Sequence, residues 1–162
     1  MIFTFRDRIF QNDLAALTGV MQSTGLFYDF EIEVALEVLR SCLERGEASG
    51  YYCIVAQQNE NCAGYAVFGP TPCTRSGWDI YWMAVRKDLQ GQGLGSGLMN
   101  RMEQTILIQG GKQIWIETSG RPDYLPTRKF YEKHKYLKMA ELPGFYAPGD
   151  SKVIYGKTIS FS

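Results

Sequence analysis

The sequence has little of several features that mark particular classes of protein. Its 17 basic residues are balanced by 17 acidic ones, so the formal net charge is zero. A chain without a basic excess lacks the electrostatic field that draws nucleic acid or anionic lipid, so we expect neither partner. No apolar run reaches the length of a transmembrane helix, and the first residues do not have the layout of a signal peptide. These features predict a cytoplasmic protein.

Cysteine and histidine are also scarce, with four cysteines and one histidine. Cys42, Cys53, Cys62 and Cys73 form no Cys-x-x-Cys pair and lie in apolar stretches or in a loop. This spacing indicates neither a metal site nor a disulfide framework, so we expect reduced and mostly buried thiols. His134 is predicted near the end of a helix, where a positive charge is favoured, and we expect a structural role for it.

What the chain does contain is typical of a globular domain: 45% hydrophobic and 21% charged residues over 162 positions. A chain of this length suits a single domain, 1–162. The periodicity of apolar residues predicts strands 2–6, 51–57, 62–68, 78–85, 113–118, 136–141 and 152–159, and helices 13–21, 33–45, 94–108 and 127–134. The strand–helix–strand order of 78–118 implies a right-handed crossover between two parallel strands.

The centre of this pattern is a glycine-rich turn between the strand 78–85 and the helix that follows it. The turn reads Gln90-Gly91-Gln92-Gly93-Leu94-Gly95-Ser96-Gly97. Glycines at 91, 93 and 95 remove side chains from the first helical turn. The unpaired amides and the positive dipole end of the helix are then open to a phosphate. The turn therefore predicts an anion-binding site.

The spacing of these glycines excludes two common nucleotide motifs. A dinucleotide fingerprint needs glycines at i, i+2 and i+5, and the third position is Ser96, Leu98 or Asn100 from the three possible starts. The Gly-x-x-x-x-Gly-Lys pattern of the P-loop does not occur in the sequence. The phosphate therefore belongs to another class of ligand.

Gln90-Gly91-Gln92-Gly93-Leu94-Gly95 fits the pattern Arg/Gln-x-x-Gly-x-Gly/Ala and resembles the pyrophosphate-binding motif of the GNAT (GCN5-related N-acetyltransferase) family. A strand ending in Met83-Ala84-Val85 precedes it, and Phe130-Tyr131-Glu132 lies on a later helix, as in that family. The order of elements is similar over essentially the whole chain. The resemblance implies an α+β fold with α/β/α layers and a mixed, mostly antiparallel, seven-stranded sheet that splays around the cofactor.

The resemblance also implies that acetyl-CoA is the cofactor and which residues hold it. The expected contacts are the main chain of Met83, Ala84 and Val85, the turn residues Gln90, Gly91, Gln92, Gly93, Leu94, Gly95 and Ser96, and Tyr124, Thr127 and Phe130 near the second motif. Two positions depart from the family pattern. Tyr124 stands where an asparagine is usual, and we expect its hydroxyl to supply the missing hydrogen bond. Lys135 stands where a glycine usually ends the helix, so a left-handed conformation is expected there.

Two residues are candidates for proton transfer. The resemblance places the hydroxyl of Tyr131 toward the coenzyme sulfur as a general acid, although a tyrosine of the core would fit the same helical pattern. Glu117 lies near the end of the strand 113–118, where half-burial could raise its pKa and suit it to act as a base. Asp79 and Tyr81 are reserves on the neighbouring strand. A purely structural Glu117 that hydrogen-bonds the backbone or an arginine is the alternative.

The resemblance places the acceptor groove between the first two helices and the last hairpin. Its candidate residues are Phe27, Tyr28, Phe30, Glu31, Phe145 and Tyr146. The aromatic residues of the predicted loop 23–30 suit a substrate wall and a core plug equally well. One carboxylate among aromatic rings suits a small cationic amine or an amino acid, but equally the end of a peptide. Phe145 and Tyr146 would also suit a homodimer contact.

The function predicted from these features is acetyl-CoA-dependent N-acetyl transfer to the primary amine of a small molecule or amino acid. Because no cysteine neighbours the motif residues, we expect direct attack in a ternary complex. Two alternatives remain open: a protein or peptide N-acetyltransferase, and a non-catalytic module that senses acyl-CoA. Tyr131 and Glu117 favour catalysis, since a sensor needs neither residue.

Overall fold

The computed structural model describes residues 2–162 and shows seven strands and four α-helices within that range. The elements in chain order are β1 (Thr4–Arg6), α1 (Asp13–Thr24), α2 (Asp29–Arg45), β2 (Tyr52–Gln58), β3 (Asn61–Pro70), β4 (Gly77–Val85), α3 (Leu94–Ile108), β5 (Gln113–Ser119), α4 (Leu125–Lys133), β6 (Leu137–Ala147) and β7 (Asp150–Thr158). None of these helices combines the length and the apolar character that crossing a bilayer requires.

All seven strands form one sheet in the order β1-β2-β3-β4-β5-β7-β6. Every neighbouring pair is antiparallel except β4 and β5, which are parallel as predicted. Their pairing is short: it joins Gly77–Ile80 to Gln113–Ile116 and then stops. Beyond these residues the two strands separate, so the sheet opens on one side of its middle. The predicted splayed, mixed sheet is confirmed.

Helices cover both faces of the sheet, and each face has its own apolar core. On one face α3 packs through residues such as Leu98 and Met102 against the strand residue Phe68. On the other face α1 and α2 pack through Leu17 and Leu39. Neighbouring residues of one strand enter opposite cores, as the period of two in a strand requires. These three layers confirm the predicted α+β architecture.

The predicted start of the second helix is wrong by one turn. The helix α2 begins at Asp29 rather than at 33, so Phe30 and Glu31 lie on its first turn instead of in a loop. The main-chain N–H of Tyr28 donates to the Glu31 carboxylate at 2.7 Å, which satisfies an amide at the helix start. A glutamate three residues after the N-cap is a local signal, but Tyr28 is an unusual cap residue.

The last hairpin also differs from the prediction. The strand β6 continues to Ala147, well beyond the predicted end at 141, although its pairing with β7 is interrupted between Leu142 and Ala147.

Lys135 has φ of 69°, so the left-handed conformation expected at the end of α4 is present. The four cysteines are free thiols, of which Cys42 and Cys53 are buried.

Candidate active site

The separation of β4 from β5 leaves one edge of β4 without a strand partner in residues 2–162. On its other edge Met83, Ala84 and Val85 pair with β3. A register shift at Tyr81 adds an extra residue to β4 where the two strands begin to diverge. The free N–H and C=O groups of this edge can hydrogen-bond the amides of an extended ligand. The main-chain contact predicted for these residues therefore has the geometry it needs.

The glycine-rich turn lies between the end of β4 and the start of α3. Gly91 and Gly93 have φ of 77° and 89°, which residues with a Cβ rarely adopt, and Gly93 is the N-cap of α3. The first intrahelical bond runs from the Gly97 N–H to the Gly93 carbonyl, so the preceding amides of the first turn have no helical acceptor. Residues 90–93 of the turn are exposed to solvent, whereas Leu94 is buried in the core. This arrangement fits a diphosphate.

Gly95 has a different role in the same turn. A Cβ at this position would lie 3.2 Å from the ring of Phe130, so the glycine lets α3 pack closely on α4. Phe130 therefore packs directly against the turn at Gly95, whether or not it also contacts a cofactor.

The side chains of the turn are engaged with the protein itself. The Gln90 amide donates to the Val85 carbonyl at 3.2 Å, and the Gln92 amide donates to the Asp88 carbonyl at 3.0 Å. Ser96 Oγ lies 3.0 Å from Nε2 of His134. Burial lowers the pKa of His134, so the cation favoured at a helix end is opposed there. These bonds hold the turn in shape and leave phosphate binding to the main chain.

The gap in the sheet leads into an open cavity of about 720 Å³. Residues from both sides of the sheet opening and from the predicted acceptor region meet in it. Its lining comprises Phe27, Tyr28, Phe30, Glu31, Asp79, Ile80, Tyr81, Trp82, Met83, Trp115, Glu117, Thr118, Ser119, Arg121, Tyr124, Thr127, Tyr131, Tyr146, Ala147 and Asp150. Most of the residues predicted for catalysis and acceptor binding are therefore brought together. Phe145 is not part of the lining.

Tyr131 reaches the cavity from α4 and is only 7% exposed. The rings of Phe130, Tyr136 and Tyr155 surround it, with centroids 5.8 to 6.3 Å away. Burial raises the pKa of its phenol, so the hydroxyl keeps its proton at neutral pH. No group of residues 2–162 hydrogen-bonds this hydroxyl. A protonated, unpartnered hydroxyl at the end of the sheet gap is suited to donate a proton.

Glu117 lines the same cavity, but its surroundings differ from the expectation. Its side chain is 55% exposed rather than half-buried between apolar neighbours, and its carboxylate lies 2.8 Å from the Lys152 ammonium. The side chain of Lys152 is only 12% exposed and lies 3.6 Å from the centroid of the Phe145 ring. The low-dielectric site expected for Glu117 is therefore absent, because its side chain is exposed. Lys152 on β7 also offsets the charge of its carboxylate.

Asp79, the reserve carboxylate, has the environment that was expected of Glu117. It is partly buried on β4, opposite Trp115 of β5, one residue before the pairing of the two strands ends at Ile80. Burial raises the pKa of its carboxyl, and the nearby charge of Glu117 adds to the effect. No cation among residues 2–162 pairs with it. Judged by its surroundings, Asp79 is therefore a stronger candidate for the base than Glu117.

Aromatic side chains form the wall between the first two helices and the sheet. Tyr28 and Phe30 are stacked, with centroids 5.6 Å apart, and are 53% and 68% exposed. Such exposure rules out a core plug for these two residues. Phe27 instead packs edge-to-face on Trp82 at 5.8 Å and against the second apolar core. Tyr28 and Phe30 therefore belong to the exposed cavity wall, whereas Phe27 both lines the cavity and packs against the core.

Arg121 ties this wall to the end of β5, which the sequence did not indicate. Its guanidinium lies between the rings of Tyr28 and Tyr124, 5.0 and 5.1 Å from their centroids, and donates to the Tyr28 hydroxyl. The Tyr124 hydroxyl donates to the Leu26 carbonyl at 3.4 Å, which competes with its predicted bond to the cofactor. Asp150 accepts from Ser119 Oγ beside them. These contacts join segments that are distant in sequence, so no local pattern announces them.

The role of the turn can be tested with two glycine substitutions in α3. Gly93 and Gly110 lie at opposite ends of the helix with φ of 89° and 84°, and neither has an atom within 4 Å of an added Cβ. Alanine at either site should strain the backbone by about 1–2 kcal/mol. Only Gly93→Ala should also weaken coenzyme A binding, by about tenfold or more in calorimetry. Equal affinities in the two variants would contradict the placement of the diphosphate.

Several solved structures share this fold over nearly the whole length of the chain. A GNAT-family protein from Desulfovibrio desulfuricans is 37% identical, with a TM-score of 0.94, and the match covers 98% of this chain and 100% of that one. The ribosomal-protein-S18-alanine N-acetyltransferase from Escherichia coli is 18% identical, with a TM-score of 0.78 and coverage of 99% and 96%. An aminoglycoside 6'-N-acetyltransferase complexed with coenzyme A is also 18% identical, with a TM-score of 0.76 and coverage of 100% and 99%. The last two show similarity of fold alone.

A family model supports the same conclusion from sequence. The acetyltransferase (GNAT) domain model matches residues 49–137, which include the open edge of β4, the glycine-rich turn and Tyr131. No significant match was found among curated proteins. Acetyl-CoA is the cofactor of this family, and the free strand edge and bare helix amides fit it. The chain therefore belongs to the GNAT family of acetyltransferases.

Proposed function

We propose that this protein transfers the acetyl group of acetyl-CoA to the primary amine of a small molecule, by direct attack in a ternary complex. The observation that carries the proposal is the cavity that continues the sheet gap. It joins the free edge of β4 to the hydroxyl of Tyr131 and to an aromatic, acidic wall. An amine and a thioester can meet there in one cavity.

The residues of the cavity divide the proton transfers between them. Bound acetyl-CoA supplies a thioester whose carbonyl carbon is attacked by the amine nitrogen, with release of the coenzyme thiol. Tyr131 donates a proton from its hydroxyl to the departing sulfur. A carboxylate accepts the proton that the amine loses. Glu117 is the predicted base, and Asp79 on β4 is the alternative candidate for this role.

Direct attack is supported by the positions of the cysteines. A route through an acetylated enzyme needs an activated thiol beside the thioester. Among residues 2–162 no cysteine lines the cavity, and burial raises the pKa of Cys42 to about 11. Thiols in such surroundings are poor nucleophiles because they remain protonated.

The chemistry of the wall supports an amine acceptor of small size. Carboxylates at Glu31, Asp79, Glu117 and Asp150 and the surrounding aromatic faces suit an ammonium group. Similarly folded enzymes act on aminoglycosides and on a ribosomal-protein alanine, so the fold itself admits both small molecules and proteins. Arg121 donates to the Tyr28 hydroxyl and the Leu26 carbonyl, which ties the α1–α2 connection to the end of β5 and favours a compact acceptor over an extended peptide.

The proposal is tested by measuring thiol release from acetyl-CoA with a panel of small amines, amino acids and peptides. We expect release that depends on a small amine. Release with peptides alone would identify a protein acetyltransferase. Binding of coenzyme A without release for any acceptor would instead identify a sensor.

Tyr131→Phe removes the proposed acid without removing the ring from the core. We expect kcat to fall by about 10² to 10⁴ with little change in the affinity for coenzyme A. Tyr136→Phe is the matched control, because Tyr136 is an adjacent buried tyrosine whose hydroxyl bonds Glu103 rather than lining the cavity. Its turnover should stay near that of the parent protein. Unchanged turnover in Tyr131→Phe would remove this residue from the acid role.

The identity of the base is tested by pH profiles of Glu117→Gln and Asp79→Asn. If Glu117 is the base, its variant loses most rate at neutral pH and recovers partly at alkaline pH, where more of the amine is already neutral. A loss that is uniform with pH would indicate a positioning role. If instead Asp79→Asn loses most rate at neutral pH and recovers at alkaline pH, while Glu117→Gln loses rate uniformly, Asp79 is the base.

A further inference from the structure

The cavity holds more negative than positive charge. Four carboxylates line it, from Glu31, Asp79, Glu117 and Asp150, whereas Arg121 is the one cation in the lining. This imbalance contrasts with the zero net charge of the chain as a whole. The excess of carboxylates is therefore a local property of the site.

The cations near the cavity are already paired. The guanidinium of Arg121 lies 3.3 Å from Asp123 and 4.0 Å from Asp150. Lys152, just behind the lining, pairs with Glu117 at 2.8 Å. Among residues 2–162 each cation at the cavity therefore already has a carboxylate neighbour, although Nε of Arg121 makes no hydrogen bond. An acceptor with a free carboxylate, such as an amino acid, would meet uncompensated negative charge.

Two of the four carboxylates have no cationic partner among residues 2–162. Glu31 lies on the first turn of α2, where its only hydrogen bond is with the Tyr28 N–H, beside the exposed rings of Tyr28 and Phe30. Burial raises the pKa of Tyr146 to about 12, and the charges of Glu117, Asp150 and Glu31 add to the effect. Asp79 lies on β4, opposite Trp115. Each unpaired carboxylate therefore has aromatic faces next to it.

A separate observation shows that this cavity is built to hold a ligand. Tyr131 is more than nine-tenths buried, lines the cavity and has no hydrogen-bond partner for its hydroxyl. Its hydroxyl oxygen opens onto the cavity, where a ligand can hydrogen-bond it. The charge pattern then indicates what kind of ligand that is.

We propose that the acceptor carries two positive charges and is a small aliphatic diamine or polyamine. One ammonium group is held by Glu31 beside the stacked rings of Tyr28 and Phe30. The other end enters the space near Asp79 and Tyr131, where it loses a proton and is acetylated. Carboxylate pairing and cation–π attraction act together at the first position. This inference rests on the proposed acetyl transfer and names its substrate class.

The test compares three acceptors that share one carbon chain: diaminopentane, pentylamine and aminopentanoate. They differ only in whether the far end is cationic, neutral or anionic. We expect kcat/KM to be highest for diaminopentane, by about tenfold over pentylamine, and lowest for aminopentanoate. Equal values for diaminopentane and pentylamine, or a preference for aminopentanoate, would overturn the inference and leave the acetyltransferase proposal standing.

Glu31→Gln examines the remote subsite directly. Glutamine keeps an oxygen that accepts from the Tyr28 N–H, so α2 retains its start while the charge is lost. We expect KM for diaminopentane to rise about tenfold with kcat nearly unchanged, and little effect on pentylamine. Glu33→Gln, at an exposed site on the same helix outside the cavity lining, is the control and should change neither substrate. Equal changes for both amines in Glu31→Gln would contradict a subsite for a second charge.

Calorimetry separates this inference from the proposed function. Diaminopentane and pentylamine are titrated into protein saturated with coenzyme A, so no transfer occurs. If no amine is acetylated in the rate assay, the acetyltransferase proposal fails. The subsite is then judged by binding alone: tighter binding of diaminopentane that Glu31→Gln abolishes supports it, and equal binding of the two amines rejects it.

Discussion

The parting of β4 from β5 after Ile80 and Ile116 is the constraint on which the rest of the site depends. A continuous sheet would pair every amide of β4 with a neighbouring strand, and no ligand could bind between them. Because the strands separate, one edge of β4 keeps free hydrogen-bonding groups in the middle of the domain rather than at its rim. The extra residue at Tyr81 accompanies this divergence. The same opening exposes Tyr131 beneath the sheet and creates the cavity.

The two apolar cores make such an opening tolerable. The helices α1 and α2 pack on one face of the sheet, while α3 packs on the other. Both groups bury side chains from the strands β2, β3 and β4, so these strands stay together without help from β5. The β5–β7–β6 half is held by its own antiparallel pairing. Ile80 of β4, Ile116 of β5 and Val153 of β7 belong to one core on the α3 side, so the two parts of the sheet stay joined beneath the opening.

Within the cavity, the environment of each acidic group depends on its neighbours rather than on its position along a strand. Glu117 and Asp79 both face the opening, yet Lys152 neutralises one and leaves the other unpaired. In the same way Arg121 compensates Asp150, whereas Glu31 has only a main-chain donor. The distribution of pairing, more than the number of carboxylates, determines which parts of the cavity keep uncompensated negative charge.

The elements with strong periodicity were correctly predicted from sequence. The strand β4, the helix α3 and the turn that joins them carry their own signals, because glycine spacing and apolar periods are local properties. The end of β6 was missed, since an edge strand exposed on nearly all sides shows no alternation of apolar residues. The start of α2 was missed because its N-cap is a tyrosine, whose main-chain N–H donates to the Glu31 carboxylate.

The sequence by itself determined the family, the cofactor and the order of the elements, since each follows from residues close together along the chain. Only the tertiary structure decided which carboxylates are neutralised and which are free. Lys152 and Glu117 are far apart in sequence, as are Arg121 and the ring of Tyr28. Such pairs form because β5, β7 and the α1–α2 connection converge at the sheet opening. Charge compensation acts over a few ångströms in space, and no local pattern records it.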